Sequence, residues 1–187
     1  MDLITALMLL IFVAPLMLIV AIAIKLDSPG PILYFQKRVG QGGRRFWLWK
    51  FRSMITNAER EGAPVWATVQ DSRITRVGSF IRHLRIDELP QLFNVLAGDM
   101  SLVGPRPERP YFVDRLNDVI SAYDRRHEVK PGITGWAQVN YPYGASIEDA
   151  RQKLVYDLYY VENMNLLLDL QILARTVGVV IAGKGAR

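Results

Sequence analysis

Residues 3–24, LITALMLLIFVAPLMLIVAIAI, form an uncharged run of 22 residues, and no later stretch of the chain is comparably apolar. The run is long enough to cross a hydrocarbon core of about 30 Å as a helix. Pro15 stands near its middle, where it removes an amide donor and crowds the carbonyl of Ile11. Two structures satisfy this pattern. One is a kinked helix that spans the bilayer, an ordinary setting for an intramembrane proline. The other is a helix–break–helix that enters one leaflet and returns. A cleaved secretory signal fits less well, because no basic segment precedes the run, the apolar stretch is too long, and no small-x-small site precedes KLDSPGP. Lys25, Lys37, Arg38, Arg44 and Arg45 follow. The positive-inside rule therefore puts the remainder on the cytoplasmic side in either case.

Beyond the run the pattern shortens. ILYFQKRV and RRFWLWKFR flank GQGG, which predicts two strands joined by a glycine-rich turn. In the second strand Arg45, Trp47, Trp49 and Phe51 share one face, and Phe46, Leu48, Lys50 and Arg52 the other. Residues 57–72 read as a helix end and a loop. RITRVGSFIRHLRI has a helical rhythm, with Ile74, Val77, Ile81 and Leu84 on one face and Arg73, Arg76, Arg82 and Arg85 between them. DELPQLFNVLAG predicts a short helix with Asp87 as N-cap, Pro90 in its first turn and Gly98 as terminator. GDMSLVGPRPERP reads as loop, and Tyr111 to Glu128 as one helix. KPGITGWAQVNYPYG predicts an aromatic-rich strand or loop. SIEDARQKLVYDLYYVEN predicts a helix capped by Ser146 with Asp149. In the final stretch Asp169, Gln171 and Arg175 interrupt the apolar residues, which favours an interfacial or core helix over a second span.

Composition narrows the picture. At 187 residues the chain has room for one domain with a real core. A net charge of +5 points to an anionic partner: nucleic acid, an acidic lipid surface or a phosphorylated substrate. The absence of cysteine excludes disulfides, thiolate metal sites and cysteine nucleophiles. Between Ser28 and Ala58 there is no acid, but there are six basic residues, Lys37, Arg38, Arg44, Arg45, Lys50 and Arg52. Read by itself, this is a basic hairpin beside anionic lipid, and its tryptophans suit a membrane interface.

The adjacent acids Asp87 and Glu88 admit two readings. An aspartate at a helix N-terminus caps free amides and feels the positive end of the helix dipole. The same forces, with Arg82 and Arg85 nearby, favour an ionised carboxylate, which is what a magnesium ligand or a carboxylate nucleophile requires. Other chemistries lack their motifs. His83 and His127 are not spaced for zinc, HEVKPG is not HExxH, and GQGGRR lacks the lysine and serine of a phosphate-binding loop. No DNA-reading motif is present, so no nucleic-acid partner is expected.

Taken together, the proline-broken apolar start, KLDSPGPILYFQKRVGQGGRRFWLWKFRSM, RIDELPQLFNVLAGDMSLVGPRP, KPGITGWAQVN and YDLYYVENMNLLLDLQIL, in that order, resemble the bacterial sugar transferases. These are the monotopic polyprenyl-phosphate phosphoglycosyl transferases, and QVNYPYGASIEDARQKLVYDLYY and GKGAR are most similar to those of exopolysaccharide biosynthesis. The resemblance implies an α/β fold. A re-entrant membrane helix at residues 1–26 precedes a catalytic domain at 27–187 on the cytoplasmic face of the bacterial inner membrane, with a short β-hairpin and amphipathic interfacial helices. It implies transfer of sugar-1-phosphate from a nucleotide sugar, usually UDP-linked, to polyprenyl (undecaprenyl) phosphate, with release of UMP and membrane lipid as a further partner. Asp87 would be nucleophile and Mg²⁺ ligand, and Glu88 its dyad partner. Pro105, Arg106 and Pro107 would contact the nucleotide, and Lys50, Arg52, Arg82 and Asp157 would lie near the site. Ala14-Pro15 stands where some members have Ser-Pro, and so lacks a hydroxyl that could assist the bend. Larger relatives carry further helices and a domain upstream. The chain is therefore expected to be either a minimal member or the catalytic part of a longer protein, with homo-oligomer formation left open.

Overall fold

The computed structural model describes residues 2–56, 71–142, 144 and 146–181. Most of the expected helix end and loop (57–70), Tyr143, Ala145 and the terminal GKGAR lie outside these. The apolar run forms helix α1 (Asp2–Asp27), with Pro15 inside it. Ala6, Val20 and Ile24 are buried, whereas Ile4, Met8, Ile11, Phe12, Ile19 and Leu26 are exposed. A stripe at helical spacing thus faces the rest of the chain along the whole helix. Ala6, Leu10 and Val13 pack with Val95 and Ile172, and Met17, Val20 and Ile24 pack with Phe51 and Ile81.

The predicted hairpin is present as β1 (Leu33–Val39) and β2 (Arg45–Phe51), antiparallel in the register Leu33↔Phe51 to Val39↔Arg45. Phe46 and Leu48 are buried and Trp47 is exposed, so strand alternation turns the Lys50 face inward. Helix α2 (Arg76–His83) is capped by Thr75, whose hydroxyl accepts from the Gly78 amide at 2.9 Å. Helix α3 (Gln91–Ala97) ends at Gly98, which adopts φ 86°; only glycine reaches this left-handed conformation without strain. Asn94 docks α3 on the open edge of β2. Its Oδ1 accepts from the Trp49 amide at 3.0 Å and its Nδ2 donates to the Trp47 carbonyl at 2.7 Å.

The expected cap is corrected here. Asp87 does not cap α3; it lies in a separate 3-10 turn, Ile86–Glu88, and Pro90 occupies the cap position. GDMSLVGPRPERP contains strand β3 (Ser101–Val103), which pairs in parallel with β4 (Gly132–Thr134). Three residues are too few for an alternation to be read. Gly104 and Gly132 let the two segments meet backbone to backbone, since a Cβ on either would collide with the other segment. The single helix expected from Tyr111 to Glu128 is two elements, α4 (Pro110–Val119) and a 3-10 turn at Tyr123–His127. The chain turns between them so that Ile120 and Tyr123 join Phe112, Leu116 and Leu154 in one core. The aromatic stretch GWAQVN is a short helix, α5 (Trp136–Asn140). Helices α6 (Ile147–Asn163), with the predicted Ser146–Asp149 capping box, and α7 (Leu166–Ile181) complete a mixed α/β architecture.

Candidate active site

The 3-10 turn that carries Asp87 and Glu88 is entered through Arg85, a non-glycine residue in the left-handed region at φ 55°. Such a conformation costs about 1 kcal/mol and persists only where the surroundings enforce it. Both acids are buried, at 8% and 7% exposure. Their partners differ. Glu88 Oε1 accepts from Lys50 Nζ at 2.8 Å and from Arg106 Nη2 at 2.6 Å, and Arg85 Nη1 lies 3.9 Å from Oε2. No hydrogen bond to the Asp87 carboxylate occurs among the described residues.

Electrostatics separates the two acids further. Burial raises the Asp87 carboxyl above its ordinary range, opposed by Lys50 and reinforced by the charge on Glu88, with Arg82 and Arg106 as weaker opponents. Burial acts in the same sense on Glu88, but Arg106 and Lys50 outweigh it and hold that carboxyl well below the usual range. Lys50 itself is lowered by burial, with Glu88 acting against the shift. Glu88 is thus held in its charged form by its cations, while its neighbour accepts no hydrogen bond among the described residues.

The Pro105–Pro107 segment reaches this turn because its backbone is held at three points. The Pro105 carbonyl accepts from the Gly132 amide at 3.0 Å. The Arg106 carbonyl accepts from Arg126 Nη2 at 2.9 Å, and the Pro107 carbonyl from Arg38 Nη1 at 2.9 Å. Arg126 is buried: Nε donates to Asp157 Oδ2 at 2.9 Å, Nη1 to the Tyr123 hydroxyl at 3.0 Å, and the guanidinium lies over the Tyr123 ring. Asp157, 2% exposed, is displaced upward by burial, with Arg126 opposing.

Of the predicted residues, Asp87, Glu88, Lys50, Arg82 and Arg106 form one cluster. Pro105 and Pro107 frame Arg106. Asp157 makes no ion pair with the dyad and acts through Arg126, which sequence reasoning missed. Arg126 follows Arg125, and nothing in DRRHE distinguishes the buried arginine from the exposed one, which pairs with Glu128 and Glu162. Arg38, also missed as a site residue, looked like one more cation of the basic hairpin. Arg52 has a different task. It donates to the carbonyls of Pro29 at 2.9 Å, Ile24 at 3.3 Å and Ser28 at 2.6 Å, closing the C-terminus of α1. A cleft of about 420 Å³ is lined by Val39, Arg45, Asp114 and His127 and contains none of the predicted site residues.

The arrangement suits phosphoryl chemistry, in which cations must offset repulsion between an anionic substrate and an attacking carboxylate. Among the described residues no three metal-ligating side chains gather, and Asp87, whose carboxylate accepts no hydrogen bond there, is the acid that would hold a divalent ion. Magnesium takes one or two protein oxygens and completes its shell with water and substrate phosphate, so the oxygen donors present fit.

The comparisons point the same way. Residues 1–183 match the profile of the bacterial sugar transferase family. The UDP-N-acetylgalactosamine-undecaprenyl-phosphate N-acetylgalactosaminephosphotransferase of Aeromonas hydrophila is 51% identical over all of this chain and 44% of its own length. The UDP-glucose:undecaprenyl-phosphate glucose-1-phosphate transferase of Xanthomonas campestris pv. campestris is 45% identical over 99% of this chain and 39% of its own. The undecaprenyl-phosphate glucose phosphotransferase of Komagataeibacter xylinus is 46% identical over 94% and 34%. The chain spans less than half the length of each of these relatives. A profile matched from end to end of the described fold, together with relatives this similar, shows that the chain belongs to the bacterial sugar transferase family.

Proposed function

We propose that this chain transfers sugar-1-phosphate from a UDP-sugar to undecaprenyl phosphate through a covalent intermediate on Asp87. The carrying observation is the asymmetry of the dyad: Glu88 accepts from Lys50 and Arg106, while Asp87 beside it accepts no hydrogen bond among the described residues. In the first step an Asp87 carboxylate oxygen attacks the sugar-linked phosphorus. The bond from that phosphorus to the bridging oxygen breaks, and UMP departs with the oxygen. In the second step a phosphate oxygen of the lipid attacks the same phosphorus. The bond to Asp87 breaks, and the carboxylate is regenerated. Arg106, Lys50 and Arg82 offset the negative charge brought by both substrates, and Glu88 fixes Lys50 and Arg106 in place. Asp87 would hold a bound Mg²⁺, which would supply further positive charge beside the substrate phosphates. Splitting the transfer in two lets a soluble donor and an embedded acceptor visit separately.

The reading includes a re-entrant α1 on the cytoplasmic face. A straight helix of 26 residues is about 39 Å long, so a spanning α1 would place Asp2 and Asp27 on opposite sides of the bilayer. Contacts of both ends with one folded body support the re-entrant reading. Asp27 Oδ2 accepts from the Val77 amide at 3.2 Å, and Asp2 contributes to the upward shift of the half-buried Asp169, whose main cause is burial.

The test is incubation with UDP-glucose or UDP-N-acetylgalactosamine, with Mg²⁺, and with or without undecaprenyl phosphate. UMP release and a phosphosugar adduct that peptide mapping locates on Asp87 are expected. Release of UDP, or an adduct on another side chain, overturns the proposal. Tags on both termini should be reachable from the cytoplasmic side alone; a periplasmic N-terminus rejects the re-entrant α1.

A further inference from the structure

Strand β1 lays three polar side chains along the face that carries Lys50. Tyr34 stands opposite Lys50 in the register, and strand alternation puts Gln36 and Arg38 on the same face. The three are linked. Arg38 Nη2 donates to Gln36 Oε1 at 2.6 Å, and Gln36 Nε2 donates to the Tyr34 hydroxyl at 3.0 Å. Arg38 is anchored in turn, since its Nη1 donates to the Pro107 carbonyl at 2.9 Å. The row therefore leads from the Pro-Arg-Pro backbone to the cross-strand neighbour of Lys50, about 13 Å along an extended strand. Neither Tyr34 nor Gln36 has a part in the transfer steps.

The two ends of the row have different surroundings. At the Arg38 end lie Pro107 and Glu108, beside the Arg106 carbonyl that Arg126 holds. At the Tyr34 end lies α1. Leu33, the residue before Tyr34, belongs to one apolar cluster with Met17, Val20 and Ile24 of α1. Ile86, the residue before Asp87, belongs to the same cluster. The outer side of this half of α1 is apolar and open, with Ile19, Ile22 and Leu26 exposed. Tyr34 itself is 40% exposed.

We propose that the Tyr34 hydroxyl binds the phosphate of the undecaprenyl phosphate acceptor beside Lys50, at the α1 end of the site. The inference rests on the transfer reading and assigns its acceptor subsite. An acceptor held by its hydrocarbon chain presents its phosphate from the apolar side, and the Tyr34–Lys50 pair is the part of the site next to α1. Tyrosine joins an apolar ring to a polar tip, which suits that boundary. Its hydroxyl both accepts and donates. Acceptance from Gln36 aims the oxygen, and its proton can turn to a phosphate. Through Gln36 and Arg38 the hydroxyl shares one frame with the Arg106 backbone, so the two substrates are seated in register.

Steady-state kinetics of the full chain in detergent micelles tests this, with Mg²⁺, UDP-glucose or UDP-N-acetylgalactosamine, varied undecaprenyl phosphate and UMP as the readout. Tyr34→Phe and Tyr34→Leu should each raise KM for undecaprenyl phosphate about tenfold, as loss of a hydrogen bond to a charged group does, and move KM for the UDP-sugar less than about twofold. Gln36→Leu should act in the same direction but less, because the hydroxyl remains and only its aim is lost. An acceptor KM unaltered in Tyr34→Phe overturns the assignment, and that variant keeps the ring and its packing. A rise in KM for the UDP-sugar alone, or equal rises for both substrates, overturns it too. Wild type that releases no UMP removes the transfer reading and the subsite with it, an outcome distinct from turnover with an unaltered acceptor KM.

Discussion

Two buried clusters in this protein use the same ingredients and do different things with them. Around Asp157, one arginine meets one carboxylate, and the remaining guanidinium donors go to Tyr123 and the Arg106 carbonyl. Around Asp87 and Glu88, two carboxylates share Lys50 and Arg106, and one acid takes both. The first cluster is closed to solvent, with Asp157 Oδ1 buried and, among the described residues, without a hydrogen-bond partner, and it serves as a support. The second has a surplus carboxylate beside cations already in place. The proposed reactivity rests on an acid that, among the described residues, accepts no hydrogen bond, next to one that accepts two, and the closed cluster holds the Arg106 backbone beside them.

Asp87→Asn breaks the comparison most severely. Removing the attacking oxygen should lower UMP release at least about 10³-fold, while membrane association and melting temperature stay at wild-type values. Arg126→Met is next. It leaves Asp157 buried and uncompensated, and chemical denaturation should show a loss of about 3–5 kcal/mol. Combining it with Asp157→Leu should restore most of that stability, since a buried pair exchanges well for apolar groups. Activity should stay low in the double variant, because the Arg106 carbonyl still lacks its donor. Recovery of both would mean that the closed cluster supports only the fold.

Lys50→Met should reduce turnover about 10²-fold and sharpen the electrostatic part of the contrast. Asp87 attacks as the carboxylate, so the rate rises with pH through its pKa, which burial has moved above the ordinary 3.8. Loss of Lys50, the strongest opponent of that shift, should carry the acid limb of the pH–rate profile still higher. Arg52→Gln separates support from chemistry in another place. It should destabilise the fold by about 1–3 kcal/mol through the unsatisfied carbonyls at the end of α1 and leave KM for the UDP-sugar unchanged.

The smallest effect concerns His127, beside Arg126. Burial and then the Arg126 charge push its imidazole down to about 4 from 6.5. The unfolded chain binds the extra proton between those values, so stability rises with pH from about 4 to 6.5 and falls as pH drops through that window. His127→Gln should flatten this part of the melting-temperature profile.

Much of the fold was readable where a local pattern has a single structural solution. The apolar run, the hairpin around GQGG and the Ser146 cap follow from composition, alternation and one hydroxyl. The errors fall where long-range packing overrides local preference. Asp87 looked like a helix cap because nothing local announces the 3-10 turn that follows Arg85 in its left-handed conformation. The helix from Tyr111 broke because Ile120 and Tyr123 find a common core with Leu154, which is distant in sequence. Strand β3 exists because its partner lies some thirty residues on.

The candidate site divides along the same line. The sequence alone determined the chemical inventory: an acidic pair, the cations to accompany it, an apolar helix and an order of motifs that resembles one family. Only the tertiary structure decided which cation serves which acid. It sent Lys50 and Arg106 to Glu88, turned Arg52 to the end of α1 and buried Arg126 beneath the Pro-Arg-Pro backbone while its neighbour Arg125 stayed in solvent. Side-chain type is a local property, but partnership depends on distance and desolvation, and both arise only when segments far apart in the chain are brought together.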